Sequence, residues 1–170
     1  ARGVLQELVD IDLSPGGFAF QEVREGRVLG VQARVLRVGF VGECGYEVHL
    51  PYSHACTLWQ ALSGPVAALG GRPFGVETQR LLRLEKAHPI VGVDTDGVMN
   101  PFETPLAGLV KMDKPRFTGR AACELLSQAV NRRLVGFTTS HRDPGDPIEE
   151  CHLVIQDGRI AGRVTSVGFS

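Results

Sequence analysis

Arg37-Val38-Gly39-Phe40-Val41-Gly42-Glu43-Cys44-Gly45-Tyr46-Glu47-Val48 is the stretch on which the reading of the fold turns. Just upstream, residues 28–38 are dense in β-branched and aliphatic side chains, the composition of a strand. Gly39, Gly42 and Gly45 then supply a turn or unusual backbone angles. Residues 46–50 alternate and read as a returning strand, ended at Pro51, which has no N–H for a sheet ladder. The expectation is a hairpin with a glycine-rich connection. It presents one carboxylate, Glu47, on a strand directly after the turn.

Farther along, Ser53 is suited to cap a helix, and Ala55, Leu58, Trp59, Leu62, Val66 and Leu69 fall at helical spacing. Gly64-Pro65 is expected to break or kink that run. After Gly70-Gly71 a second helix is expected over residues 76–86. Its Leu81, Leu84 and Leu82 would face the core, with Arg80 and Arg83 on a neighbouring face. Residues 88–117 hold the turn signals Asn100-Pro101 and Lys114-Pro115 and read as ordered loop with short strands. Thr118 is positioned to cap a third helix reaching about Ala129. Residues 134–139 and 151–155 read as strands, and Asp157-Gly158 is a hairpin signal leading into residues 159–166. Periodicity therefore predicts a mixed α and β fold.

Bulk properties set limits. The 170 residues are 43% hydrophobic and 22% charged, with a formal net charge of -1, an ordinary globular balance. Basic residues are scattered, so no nucleic-acid partner is expected. No apolar run reaches the length of a membrane span, and no signal-peptide pattern opens the chain. Ala1 stands where an initiator Met would, and the expectation is a piece of a larger protein. Cys44, Cys56, Cys123 and Cys151 form no CxxC pair, which predicts reduced thiols in a cytoplasmic protein and no zinc site.

No nucleophile elbow, P-loop, zinc-protease motif or dinucleotide fingerprint is present. The histidines are dispersed, and His88 is expected to serve structure or solvent. Cys44 has no evident base beside it. Two features are more suggestive. A carboxylate fixed at Glu47 can accept paired hydrogen bonds from a ring N–H and an adjacent amino group, such as a pterin or guanine edge. Arg80 and Arg83 could meet an anionic or carbonyl-bearing ligand. From spacing alone, pairing of these arginines with Glu77 and Glu85 along the helix explains them better.

Five blocks in order nevertheless resemble the glycine-cleavage T-protein (aminomethyltransferase) family. The first is the opening stretch, similar to that family's R-x-G-Y/F-x-G-E-x-G-Y/F-E signature. Phe74-Gly75-Val76-Glu77-Thr78-Gln79-Arg80-Leu81-Leu82-Arg83-Leu84-Glu85 resembles its G-x-x-x-x-R-x-x-R-L-E helix. Asn100-Pro101-Phe102-Glu103 and Lys111-Met112-Asp113-Lys114-Pro115-Arg116-Phe117-Thr118-Gly119-Arg120 follow. Gly158-Arg159-Ile160-Ala161-Gly162-Arg163-Val164-Thr165-Ser166 is similar to its C-terminal hairpin. Phe40, Arg83-Leu84-Glu85-Lys86 and Val91-Gly92-Val93-Asp94-Thr95-Asp96-Gly97 look closest to the sarcosine oxidase alpha subunit, while Ala87-His88-Pro89 departs from the usual Gly-His-Ile.

The resemblance implies an α+β fold in which an antiparallel sheet with packed helices forms an incomplete folate-binding domain over residues 1–130. Residues 131–170 would then begin a C-terminal β-barrel. It implies tetrahydrofolate as ligand, with Glu47 holding the pterin, Arg80 contacting the folate and Phe40 placed as an aromatic beside the pterin; Tyr46 is expected in the core. The reaction implied passes the methyl-derived carbon of sarcosine to tetrahydrofolate, giving 5,10-methylenetetrahydrofolate. Flavin and NAD would belong to other parts or subunits of the parent, which are implied partners along with a methylated amine-derived one-carbon unit. The family's catalytic aspartate belongs to a part outside these residues, so the catalytic residues stay unknown and the isolated piece is expected to be inactive. The alternatives are a glycine-cleavage aminomethyltransferase, a folate-dependent demethylase or a non-catalytic folate-binding module. The module's K-G-C-Y-x-G-Q motif is not matched at residues 111–120.

Overall fold

Strands β1 (Val23–Val28) and β2 (Val31–Leu36) pair antiparallel from Val23↔Leu36 to Val28↔Val31. They belong to a computed structural model that describes residues 1–139 and 147–169. The segment 28–38, expected as one strand, is thus interrupted at Leu29 and Gly30. Both take positive φ, 52° and 80°, the requirement of a type I′ hairpin turn. Leucine bears that conformation at a cost, so Leu29-Gly30 lacks the Asn-Gly or Asp-Gly signature that announces such turns. The glycine-rich connection then returns the chain to β3 (Glu47–His49), which pairs with β2 antiparallel through Arg34↔His49, Val35↔Val48 and Leu36↔Glu47.

The chain divides into two compact units, Ala1–Lys86 and Ala87–Ser170. In the first, the strand period of two sends Val28, Ala33 and Val35 to one face of the sheet, where they are buried with Leu5, Ile11, Leu13 and Phe18. Tyr46, Val48, Leu50 and Leu58 pack against this cluster. Helix α1 (Arg2–Gln6) supplies Val4 and Leu5 to the interior. The Gln6 amide ties the following turn, donating to Ile11 O at 2.9 Å and accepting from Leu13 N at 2.8 Å. Residues 8–11 run along β1: Asp10 N donates to Arg27 O at 3.1 Å and Leu29 N to Leu8 O at 2.8 Å. The approach is close enough that a Cβ on Gly26 would lie 2.5 Å from Ile11 Cγ1.

Helix α2 (Ala55–Ala68) follows a 3-10 turn, Tyr52–His54, and is preceded by His54 rather than by a capping Ser53. The helix is not broken at Gly64-Pro65 but persists as a single element through Pro65. A proline this close to the C-terminus removes one donor, while the last turn closes through Leu69 N to Pro65 O and Val66 O. Leu58, Leu62 and Val66 lie on its half-buried side, whereas Ala55, Trp59 and Leu69, expected on the same stripe, are exposed. Helix α3 (Val76–Glu85) also differs in its inward side: Arg83 is the buried residue at 2% exposure, and Leu81, Leu82 and Leu84 are half-buried. A long aliphatic stem lets arginine occupy such a position.

In the second unit, residues 88–117 form loop with two 3-10 turns, Pro101–Glu103 and Ala107–Leu109, and one isolated bridge, Val91↔Thr95, in place of short strands. Asp94, 4% exposed, organises part of it, accepting from Ile90 N at 2.8 Å, Thr165 Oγ1 at 2.7 Å and Ser166 Oγ at 2.6 Å. Asn100 and Glu103 form a reciprocal capping box, and Arg132 reaches the buried Glu103 carboxylate at 3.4 Å. Helix α4 (Arg120–Gln128) starts after Gly119, which takes φ 90°, so Thr118 is not its cap. Arg120 Nη1 donates to Met112 O at 2.7 Å and also to Lys114 O, pinning the preceding turn. Strands β4 (Leu153–Gln156) and β5 (Arg159–Arg163) form the hairpin expected at Asp157-Gly158, both turn residues having positive φ. Residues 134–139, expected as a strand, are not one, and among the described residues no strand pairs with them. Among the described residues no helix is long and apolar enough to cross a membrane.

Leu13 has no exposed surface, so Leu13→Ala should destabilise the first unit by about 2–5 kcal/mol. Urea unfolding followed by the fluorescence of Trp59, the single tryptophan, would show a lower midpoint at constant slope; an unchanged midpoint would contradict the packing described. In the second unit, the Glu103 carboxyl is held below the ordinary glutamate range, first by the Asn100 N–H and then by Arg132, against the opposing effect of burial. A lowered carboxylate value contributes stability above the ordinary range that is lost as pH falls through the lowered value. Protection of the Leu134 amide, bonded to Glu103 O at 2.8 Å, should therefore drop in acid. In Glu103→Gln it should be weaker at neutral pH and respond less to acid; equal pH profiles would contradict this.

Candidate functional site

The glycine-rich connection can be drawn tight only because side chains are missing where its backbone meets itself. A Cβ on Gly39 would stand 2.7 Å from Glu43 O, and one on Gly45 would stand 2.8 Å from Val38 O. Gly42 takes φ 76°, where non-glycine residues are strained. Phe40 is half-buried within this loop. Tyr46, at its end, turns inward as expected: its ring centroid lies 6.1 Å from that of Phe18, and its hydroxyl accepts from Arg2 Nε at 3.2 Å.

Because Val48 points into the core, Glu47 and His49 project from the opposite face of the sheet. Register puts Glu25, Arg34, Glu47 and His49 on that exposed face, where Arg34 Nη2 meets Glu25 Oε1 at 3.1 Å. The Glu47 side chain is 59% exposed, and its Oε2 lies 3.1 Å from His49 Nε2. A carboxylate so placed is fixed by the strand yet open to donors from outside. Sequence reasoning does not single out His49; the spacing Glu47-x-His49 on an alternating strand is the signal that finds it.

Arg80 lies on α3 with Nη1 3.8 Å from Glu77 Oε1, the intrahelical pairing that spacing alone suggests. At 40% side-chain exposure this pair contributes little to stability and leaves the guanidinium near the surface. Arg83, its companion in the sequence, is instead a buried residue of the helix.

The glycine-rich loop and the end of α3 are in contact. Lys86, directly after α3, places Nζ 2.8 Å from Glu43 Oε1 in the glycine-rich loop. Hydrogen bonding and charge from Lys86 pull the Glu43 carboxyl below its usual range, and Glu43 in turn raises the Lys86 ammonium. The loop leading to Glu47 and the helix carrying Arg80 are thereby connected across 43 residues of sequence (86 − 43). No local pattern announces such a contact.

Cys44 is exposed, with Sγ 3.7 Å from Arg2 Nη2 and 3.8 Å from the Tyr46 hydroxyl. Among the described residues, no group of His, Cys, Asp or Glu is arranged to hold a metal ion. A shallow groove of about 360 Å³ runs between β3 and α2, lined by Val48, Leu50, Leu58 and Trp59 among others. A wider depression of about 690 Å³ lies around residues 115–124. Phe40, Glu47 and Arg80 line neither of them.

The sequence pattern described as the GCVT N-terminal domain matches residues 1–114, and the chain belongs to that family. Curated relatives carry the name aminomethyltransferase. That of Thermus thermophilus is 37% identical over 170 residues, covering 100% of this chain and 45% of the relative. That of Thermotoga neapolitana is 34% identical over the same span with the same coverage. That of Streptomyces coelicolor is 36% identical over 169 residues, 96% of this chain and 44% of its own length. The chain thus spans a little under half the length of these relatives.

Proposed function

We propose that this chain provides part of the tetrahydrofolate-binding surface of a one-carbon transfer enzyme of the aminomethyltransferase type. The observation that carries the reading is the Glu43–Lys86 tie. It brings the loop ending at Glu47 and the helix bearing Arg80 into one structure within a member of this family. The donor set suits the ligand. Glu47 offers an exposed carboxylate for the ring N–H and amino group of a pterin, Arg80 a guanidinium for a carbonyl or anionic part, and Phe40 an aromatic ring. A phenylalanine at this position keeps ring contact without a hydroxyl hydrogen bond.

Tetrahydrofolate held at Glu47, Arg80 and Phe40 would supply the nitrogens that take up the carbon, with 5,10-methylenetetrahydrofolate as the product. The work of these residues is orientation and electrostatics, and no general base is assigned among them. In this reading residues 1–130 belong to the folate-binding domain and residues 131–170 open a C-terminal β-barrel, to which β4 and β5 contribute.

Two donors are compatible with this site. A sarcosine-derived carbon, with flavin subunits as partners, rests on Phe40, on Arg83-Leu84-Glu85-Lys86 and on residues 91–97. A glycine-cleavage donor, delivered on a lipoyl carrier protein, is favoured by the name of the relatives and fits at least as well. Formation of methylenetetrahydrofolate by the parent enzyme from sarcosine, or from an aminomethyl-loaded lipoyl carrier, separates the two.

The binding surface itself is tested by anaerobic calorimetric titration with tetrahydrofolate of the protein and its Glu47→Ala and Arg80→Ala variants. Removing a charged hydrogen-bond partner should cost about 1.5–3 kcal/mol, about tenfold or more in affinity. Unchanged affinity in both folded variants would refute the assignment.

A further inference from the structure

We infer that Lys86 is a positioning residue of the candidate site, holding the glycine-rich loop against the end of α3. The inference rests on the folate-binding reading above, in which the Glu43–Lys86 tie joins the loop to α3, and deepens it by giving Lys86 a role in the order of the loop and in ligand affinity.

Two independent features of the geometry support it. The first is the charge contact between Lys86 Nζ and Glu43 Oε1 at 2.8 Å. The second concerns the aliphatic stem. A Cβ on Gly42 would lie 2.6 Å from Lys86 Cγ and 2.9 Å from both its Cβ and Cδ. Lysine therefore lies across the bare backbone of Gly42 and then reaches the neighbouring carboxylate. A side chain at position 42 would push the stem away, and a shorter residue at 86 would reach neither contact.

The consequence is positional. Phe40 and Glu47 flank the loop segment that Lys86 covers, and Arg80 stands six residues before Lys86, about 9 Å along a helix axis. With side chains 49% and 71% exposed, Lys86 and Glu43 add little to global stability, as exposed pairs generally do. Their effect should therefore fall on the order of the loop and the geometry of the ligand surface. Neither Arg80 nor Glu47 needs to touch Lys86 for this to hold.

The test compares Lys86→Met, Lys86→Arg and the charge exchange Glu43→Lys with Lys86→Glu. Each is measured by amide order parameters at residues 42–45, by tetrahydrofolate affinity and by thermal midpoint. Lys86→Met should lower the order parameters from about 0.85 towards 0.6 and weaken binding about fivefold, with the midpoint nearly unchanged. Lys86→Arg should retain both properties, and the exchange should recover part of each. Unchanged order parameters in Lys86→Met would overturn the inference. So would a loosened loop that binds as tightly as before, or a midpoint that falls in step with affinity. Glu47→Gln serves as the control for the underlying reading. If it leaves affinity untouched, the folate assignment fails, while the order parameters still decide whether Lys86 holds the loop.

Discussion

The backbone of residues 38–45 folds back on itself so closely that Cβ atoms at Gly39 and Gly45 would stand only 2.7 and 2.8 Å from backbone carbonyl oxygens. Overlap of that kind cannot be relieved by rotating a side chain, since the opposing atoms are backbone. Everything around the candidate site follows from this constraint. The loop ends where Tyr46 can turn inward to Phe18, and Tyr46 inward places Glu47 outward on the next pleat. A slip of one residue would exchange those faces, burying a carboxylate and exposing Val48. The glycines are thus as much a part of the site as the charged groups.

The apolar interior of the first unit and its charged groups lie on separate faces of the sheet. The interior is apolar and formed by α1, the segment after it and one face of the sheet. The other face carries the charges, with Glu25 and Arg34 paired and Glu47 beside His49. Such exposed pairs contribute little to folding, so the composition of that face is open to being set by a ligand. In the second unit polar groups act from the inside instead. Asp94 and Glu103 are buried and surrounded by donors that hold loops lacking regular structure.

Much of this is legible in the sequence, and the exceptions have physical causes. The helices at 55–68 and 76–85, the returning strand at Glu47 and the Asp157-Gly158 turn all have short-range signatures, namely helical spacing, alternation and turn chemistry. The hairpin at Leu29-Gly30 escapes such reading because leucine rarely accepts φ above zero. Pro65 carries the signature of a breaker, but near a helix end it removes only one donor. The Asn100–Glu103 capping box is encoded in the Asn-x-x-Glu spacing, which the Asn100-Pro101 turn signal overshadows. Helical spacing sets Arg83 beside Arg80 on a face neighbouring the leucines, yet its depth is fixed by tertiary packing that spacing does not encode. The Glu43–Lys86 tie, a contact between the glycine-rich loop and the end of α3, links residues with no local relation at all.

The central claim is that the glycine-rich loop and α3 act as one folate-binding surface. The most direct measurement is an amide chemical-shift map of the labelled protein titrated with folinic acid, a stable reduced folate. The account predicts concerted shifts at residues 39–49 and 77–86 with one common dissociation constant. Shifts confined to the groove between β3 and α2, to residues 115–124, or to only one of the two segments would contradict it.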